Sequence, residues 1–284
     1  MTSAALIAPH ALQEKILRDN VLVVDCRFDI ADAARGARDY AQGHIPGAVY
    51  ADLDRDLADL GKTGLGRHPL PDAAAFSTTL GRWGWKPGLA VVAYDAANGA
   101  LAAARLWWML RLVGDRNVAV LDGGLQAWVA AGLPLGSETP KRTPTTVNVA
   151  YDASQIVYSD TLKELLAMPQ SILLDARAAP RYRGEVEPID PVAGHVPGAL
   201  NRPFAENLQA DGRFKDPEIL RREFEALLHG RGADDAVHMC GSGVTACHNL
   251  LAMEHAGLHG SRVYAPSWSG WIGDKSNRVA KGAE

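Results

Sequence analysis

The hexapeptide GHIPGA at residues 43–48 returns, with one isoleucine changed to valine, as GHVPGA at residues 194–199. Three more stretches recur in the same order. VLVVDCRFD (21–29) pairs with SILLDARAA (171–179), and LAVVAYDAANGALAAARLWWML (89–110) pairs with DAVHMCGSGVTACHNLLAMEH (235–255). VAVLDGGLQAWVAAG (118–132) pairs with SRVYAPSWSGWIGD (261–274). The partners stay roughly 145–150 residues apart along the whole chain, the mark of a tandem duplication with a unit of about 140 residues. A duplicated chain has to build one architecture twice. With 284 residues, the expected division is a first domain at 1–135, a linker at 136–150 and a second domain at 151–284, each long enough for its own core.

Each half alternates short β-branched runs with helical stretches. In the first half the expected strands are VLVVD, AVVAY and VAVLD, and the expected helices include Ala11–Arg18, Ala73–Trp83 and Ala100–Leu112. Apolar strands a few residues long, separated by helices, predict an α/β fold: a parallel sheet with helices on both faces. Between the halves, GLPLGSETPKRTPTTVNV (132–149) is rich in Pro, Thr and Ser and has no helical period, so it is expected to be extended and solvated.

Composition removes several classes of function. The formal net charge of −4 disfavours nucleic acid and anionic membranes as partners. The longest apolar run, ALAAARLWWMLRLV, is interrupted by Arg105 and Arg111, and so predicts no membrane span. No secretory signal is read in the first residues, and the expectation is a cytoplasmic protein. Three cysteines, an odd number without a CxxC pair, predict neither a disulfide framework nor a zinc site. No metal and no cofactor are expected.

Chemistry concentrates in AVHMCGSGVTACHNLLAMEH. AVHM reads as a buried strand and TACHNLLAMEHA as a helix, so Cys240–Val244 must turn the chain from one to the other. Ligands of parallel sheets sit beyond the carboxyl ends of the strands, which is where Cys240 falls. Gly241 and Gly243 permit positive φ and let backbone N–H groups converge. Around them Ser242, Val244 and Thr245 bring further N–H groups, including those left unpaired at the start of the helix. Such a cradle favours a thiolate at Cys240, and equally a terminal persulfide anion. Cys247, nearly two helical turns further on, is out of disulfide reach and reads as core, as does Cys26. The matching loop of the first half, YDAANGA, has Asp95 in place of the cysteine. A carboxylate cannot replace a reactive thiol, so that half is expected to be catalytically inactive.

CGSGVTA, GHIPGA, GHVPGA, LDGGLQAW and the duplicated Asp-x-Arg strand ends together resemble the two-domain rhodanese, or sulfurtransferase, family over about residues 8–275. The cysteine loop is similar to that of its 3-mercaptopyruvate-using members. The resemblance implies that Cys240 takes a sulfane sulfur from a small anionic donor, becomes a persulfide, and passes the sulfur to a thiol acceptor such as thioredoxin, or to cyanide. It places Arg181, in RYRG, on the donor carboxylate. Through GHIPGAVYADLDRDL and GRHPLP it places Asp54 and His68 in a proton relay with Ser242. Arg177, His44 and His195 recur in both halves and are read as structural, Arg183 as a solvated charge, and His238 as core packing. One departure stands out: Ile189 occupies the position, just after EP, where mercaptopyruvate-type members carry a second arginine. Neutral Gly241 and Ser242, where thiosulfate-type loops tend to be basic, favour mercaptopyruvate, whereas Ile189 favours thiosulfate. Thiosulfate thus stays open as donor, and a non-catalytic sulfur-binding or sensing module stays open as function. A C-x5-R phosphatase fails, because position 246 is alanine.

Overall fold

The computed structural model describes residues 4–18 and 20–283. The outermost ends of the expected domains, residues 1–3 and 284, lie outside these. Two compact units are present. One contains the chain up to Asp59, Leu70–Asp152 and Ala210–Arg213; the other contains Leu60–Pro69, Ala153–Gln209 and the chain from Phe214 onward.

In the first unit the strands are β1 (Leu6–Ile7), β2 (Val21–Asp25), β3 (Val49–Tyr50), β4 (Ala90–Tyr94) and β5 (Val118–Leu121). The helices are α1 (Pro9–Arg18), α2 (Arg35–Gln42), α3 (Leu53–Asp56), α4 (Ala73–Arg82), α5 (Ala103–Leu112) and α6 (Gly124–Ala130). In the second unit the strands are β6 (Ile156–Val157), β7 (Ile172–Asp175), β8 (Leu200–Asn201), β9 (Ala236–Met239) and β10 (Arg262–Tyr264). Its helices are α7 (Ser159–Leu166), α8 (Ala179–Tyr182), α9 (Pro217–Leu228), α10 (Ala246–His255) and α11 (Ser267–Trp271). The sheet orders are β1-β5-β4-β2-β3 and β6-β10-β9-β7-β8, the same path twice. Every pairing is parallel. Two five-stranded parallel sheets flanked by helices make this a tandem α/β fold, as the duplication requires. The inner strands are apolar without alternation because helices cover them: Val21–Asp25, Ala90–Tyr94 and Ala236–Met239 are buried along their whole length.

The repeated GH-x-PGA phrase proves to be a structural corner. His44 Nδ1 hydrogen-bonds the Tyr40 carbonyl at 2.8 Å, and the two rings stack at 4.0 Å. His195 does the same with Tyr182, at 2.8 and 3.8 Å. Its second glycine carries φ of +77° at Gly47 and +84° at Gly198, a conformation that costs a residue with a Cβ. The Asp-x-Arg strand ends are likewise twin clamps. Arg27 Nη2 donates to Asp25 at 2.7 Å and to the Gly43 carbonyl at 2.7 Å, and Arg177 Nη2 donates to Asp175 at 2.7 Å and to the Gly194 carbonyl at 2.8 Å.

One expectation changes. The helix read as Ala100–Leu112 begins only at Ala103, because the preceding amides are taken by a side chain described below. The segment 132–149 has no helix and no fully buried residue, as expected, and hydrogen bonds tie it to the first unit. Thr145 N–H donates to the Gly81 carbonyl at 2.9 Å, and Arg142 reaches the Val21 carbonyl at 2.7 Å. A Cβ on Gly81 would lie 2.5 Å from the Thr145 carbonyl oxygen, so that glycine makes room for the strap.

Candidate active site

β9 lies between β10 and β7, and the residue that follows it is Cys240. The thiol-bearing residue is 3% exposed. Its backbone is held from one side by the start of α11: Cys240 N–H donates to Ser267 Oγ at 3.1 Å, and its carbonyl accepts from Trp268 N–H at 3.0 Å. Ser267 holds φ of +52°, an uncommon conformation for a residue with a side chain, at the point where its hydroxyl reaches the cysteine. Gly241 follows suit, its carbonyl accepting from Ser269 N–H at 2.9 Å. The loop is therefore braced over Cys240 and Gly241 before it turns into α10, which begins at Ala246.

The two glycines do different work. Gly243 has φ of +76°, and a Cβ there would stand 2.2 Å from the Ala265 carbonyl oxygen. Gly241 does not have positive φ, contrary to expectation. Its missing side chain leaves space for cations instead: a methyl group on it would lie 3.2 Å from Arg67 Nη2, 3.7 Å from Arg181 Nη2 and 3.8 Å from Arg181 Nη1.

The first unit shows what this type of loop holds. Asp95, at the position of Cys240, is fully buried. Its Oδ1 accepts from Ala97 and Gly99 N–H at 2.8 Å each, and its Oδ2 accepts from Leu101 at 3.1 Å and Ala103 at 3.2 Å. Burial raises this carboxyl above its ordinary range while the four N–H groups pull it back down. In the repeat, Ala97, Gly99 and Leu101 correspond to Ser242, Val244 and Ala246. Among the described residues the N–H groups of those three, and of Thr245, meet no protein acceptor, whereas His248, the counterpart of Ala103, donates to the Thr245 carbonyl at 3.0 Å. An aspartate oxygen and the terminal sulfur of a cysteine persulfide lie the same number of bonds from Cα. The first loop is thus closed around a built-in anion, and the second keeps three of the four matching donors open.

Around Cys240 the structure gathers residues from distant parts of the sequence. His68 and Ser242, both buried, are joined by a 2.8 Å hydrogen bond between Nδ1 and Oγ. Arg67 N–H donates to Ser269 Oγ at 2.9 Å, which ties the 60–69 segment to α11. Arg181 pairs with Glu187, Nη2 to Oε1 at 2.7 Å, and it also reaches Asp190 at 3.3 Å. Arg67 Nη1 bonds the other oxygen of Asp190 at 2.5 Å. The structure brings the sequence candidates Arg181, Ser242 and His68 together with Arg67, Glu187 and Asp190, which sequence reasoning did not name. Arg67 was legible as the neighbour of His68 in GRHPLP, although nothing in that hexapeptide says which way its side chain turns. Asp54 lies in the first unit, on α3, where Asp52 accepts its N–H at 3.0 Å. Burial, and then the charge of Asp52, raises its carboxyl above the ordinary range.

The remaining candidates fall outside the chemistry. Arg177 is 3% exposed and committed to Asp175. Arg183 pairs with Glu185 on the surface. Burial pushes His238 down to about 3, leaving it a neutral ring bonded to Ser261 Oγ at 3.1 Å. Cys26, Cys240 and Cys247 are buried and form no disulfide with one another; burial, reinforced by Asp95, Asp25 and Asp56, raises the Cys26 thiol. His255 and His259 stand four apart in sequence, but α10 ends at His255 and His259 turns to Glu254 at 3.0 Å. Among the described residues no metal-binding group of His, Cys, Asp or Glu is assembled, and no helix is long and apolar enough to cross a membrane.

The arrangement suits transfer of a soft, anionic group: one thiol, open amides for the charge it acquires, two guanidinium groups alongside, and a Ser–His pair to move a proton. Comparison with known proteins agrees. The family model for the rhodanese-like domain matches twice, at residues 8–131 and 159–274. A Pseudomonas aeruginosa protein named "Probable 3-mercaptopyruvate sulfurtransferase" is 50% identical over 284 residues, covering 99% of this chain and 100% of its own. The human 3-mercaptopyruvate sulfurtransferase is 36% identical over 271 residues, 94% of this chain and 88% of its own. The solved 3-mercaptopyruvate sulfurtransferase of Leishmania major superposes with a TM-score of 0.82 at 32% identity, over 94% of this chain and 73% of its own.

Proposed function

The chain belongs to the rhodanese-like family of sulfurtransferases, and from that premise we propose that it takes sulfur from 3-mercaptopyruvate and hands it to a thiol or to cyanide through a persulfide on Cys240. The observation that carries this reading is the loop pair: the same turn is closed around the Asp95 carboxylate in one unit and holds a thiol beneath open amides in the other.

In the first half-reaction the Cys240 thiolate attacks the donor sulfur. The carbon–sulfur bond breaks, its electrons pass into the enolate of pyruvate, and Cys240 acquires a terminal sulfur whose charge the amides of Ser242, Val244, Thr245 and Ala246 face. Ser242 Oγ, hydrogen-bonded to His68, then protonates the enolate carbon. In the second half-reaction an acceptor thiolate attacks the terminal sulfur, and the Cys240 thiolate leaves. Arg181 and Arg67 take the donor carboxylate, one N–H each, in charge-assisted hydrogen bonds. Arg67 thereby supplies the cation that Ile189, 40% exposed, does not. The mercaptopyruvate reading gains from this, since the missing arginine was the main feature favouring thiosulfate.

Incubation with mercaptopyruvate and no acceptor is expected to release one pyruvate and add one sulfur atom to the peptide bearing Cys240, as read by mass spectrometry. Sulfur on Cys26 or Cys247 would overturn the site. The donor reading is tested separately, by comparing kcat/KM for mercaptopyruvate and thiosulfate with one acceptor; a higher value for thiosulfate reverses it.

The relay makes its own forecast. His68→Asn is expected to lower kcat with mercaptopyruvate by about 10²-fold, the usual scale for a lost general acid. Turnover of thiosulfate, whose leaving sulfite needs no carbon protonation, should change little. Equal losses with both donors would remove the relay.

A further inference from the structure

We propose that Asp190 sets the net charge of the donor pocket and so decides between singly and doubly charged donors; the inference rests on the reading of Arg67 and Arg181 as the donor's anchors. Asp190 is 7% exposed, a buried carboxylate on an irregular segment at the pocket wall. It gives one oxygen to each arginine, Oδ1 to Arg67 Nη1 at 2.5 Å and Oδ2 to Arg181 Nη2 at 3.3 Å. Glu187 takes Arg181 Nε and Nη2 at 3.2 and 2.7 Å, and is itself held by the N–H groups of Ile189 and Asp190 at 3.1 Å each. Two cations therefore meet two carboxylates before any donor arrives.

What remains for a ligand is limited in number and in charge. Among the described residues, Arg67 Nη2 and Arg181 Nη1 have no protein acceptor, and they lie 3.2 and 3.8 Å from the methyl position of Gly241. Two N–H donors flanking the cysteine loop match the two oxygens of a single carboxylate. A dianion brings a second negative charge into a pocket already at balance, and the Asp190 carboxylate, its side chain 3% exposed, repels it. The carboxylate thus does two things at once: it splays the guanidinium groups into a pair, and it lowers the pocket's attraction for dianions more than for monoanions.

Asp190→Asn removes the charge while keeping the shape. The ratio of kcat/KM for thiosulfate to that for mercaptopyruvate is expected to rise at least about tenfold, and the rise should shrink with added salt as charge effects are screened. Asp190→Glu, which keeps the charge, should retain the wild-type ratio. Should Asp190→Asn fail to fold, Ile189→Lys adds one positive charge at an exposed neighbouring position and is expected to move the ratio in the same direction. If Asp190 only braces the arginines, both donors lose together and the ratio stays put in Asp190→Asn; that outcome, or an unmoved ratio in Ile189→Lys, overturns the inference. A wild-type enzyme that prefers thiosulfate reverses the donor reading alone, because the direction of the Asp190→Asn shift does not depend on where the ratio starts.

Discussion

Cys240→Ser is expected to reduce sulfur transfer by at least ~10³-fold with every donor, the scale of losing a nucleophile outright. A hydroxyl at this position cannot accept a sulfane sulfur, and neither Cys26 nor Cys247 is placed to take over. Cys26 is fully buried with its thiol raised, and Cys247 donates to the Gly243 carbonyl at 3.5 Å behind the loop. The backbone bonds that brace the site, from Cys240 to Ser267 and Trp268, do not involve the sulfur. Thermal stability should therefore stay within about 1 kcal/mol of wild type. Loss of activity with an intact unfolding transition is the expected pair of results; retention of more than a few per cent of turnover would show that another group carries the sulfur.

Asp95→Ala is expected to have the largest effect on stability, in the unit whose loop carries an aspartate instead of Cys240. It leaves four backbone N–H groups pointed at an empty, buried space. A buried donor without an acceptor costs about 1–3 kcal/mol, and water entering the cavity recovers part of that. A net loss of about 3–5 kcal/mol, at the exceptional end for a single change, should lower the first unit's melting temperature by roughly 10–20 °C. Asp95→Asn should fall between, since an amide can satisfy two of the donors with its oxygen but meets the others with N–H of its own. Calorimetry of both variants reads this directly. A first unit that melts as wild type in Asp95→Ala would mean that the loop needs no anion, and the parallel drawn with the loaded Cys240 loop would fall with it.

That parallel also explains why the sequence misplaced one helix. Alanines and leucines from position 100 onward favour helix, and composition alone starts α5 there. In the folded chain the Asp95 side chain outbids the helix for the amides of Leu101 and Ala103, so the first regular turn waits until Ala103.

Much of the molecule was nonetheless determined by the sequence on its own. Duplication dictates two copies of one sheet order. Unbroken apolar runs dictate buried parallel strands, and a cysteine directly after such a run falls at the carboxyl end of the sheet, where ligands bind. These features are local: they depend on periodicity, on φ preferences and on the chain's direction at a strand end. The pocket around Cys240 is of another kind. Arg67 reaches Gly241 from a segment without helical or strand period, and Asp190 reaches both arginines from an irregular stretch after α8. No pattern in residues 60–69 reports the direction of those side chains. It is set by long-range contacts, such as Gly66 lying against the Pro266 carbonyl with no room for a Cβ. Gly241 was read as a residue that permits positive φ, which the folded chain does not use. Its backbone needs no left-handed turn; the space beside it is occupied by two guanidinium groups that only the folded chain brings there.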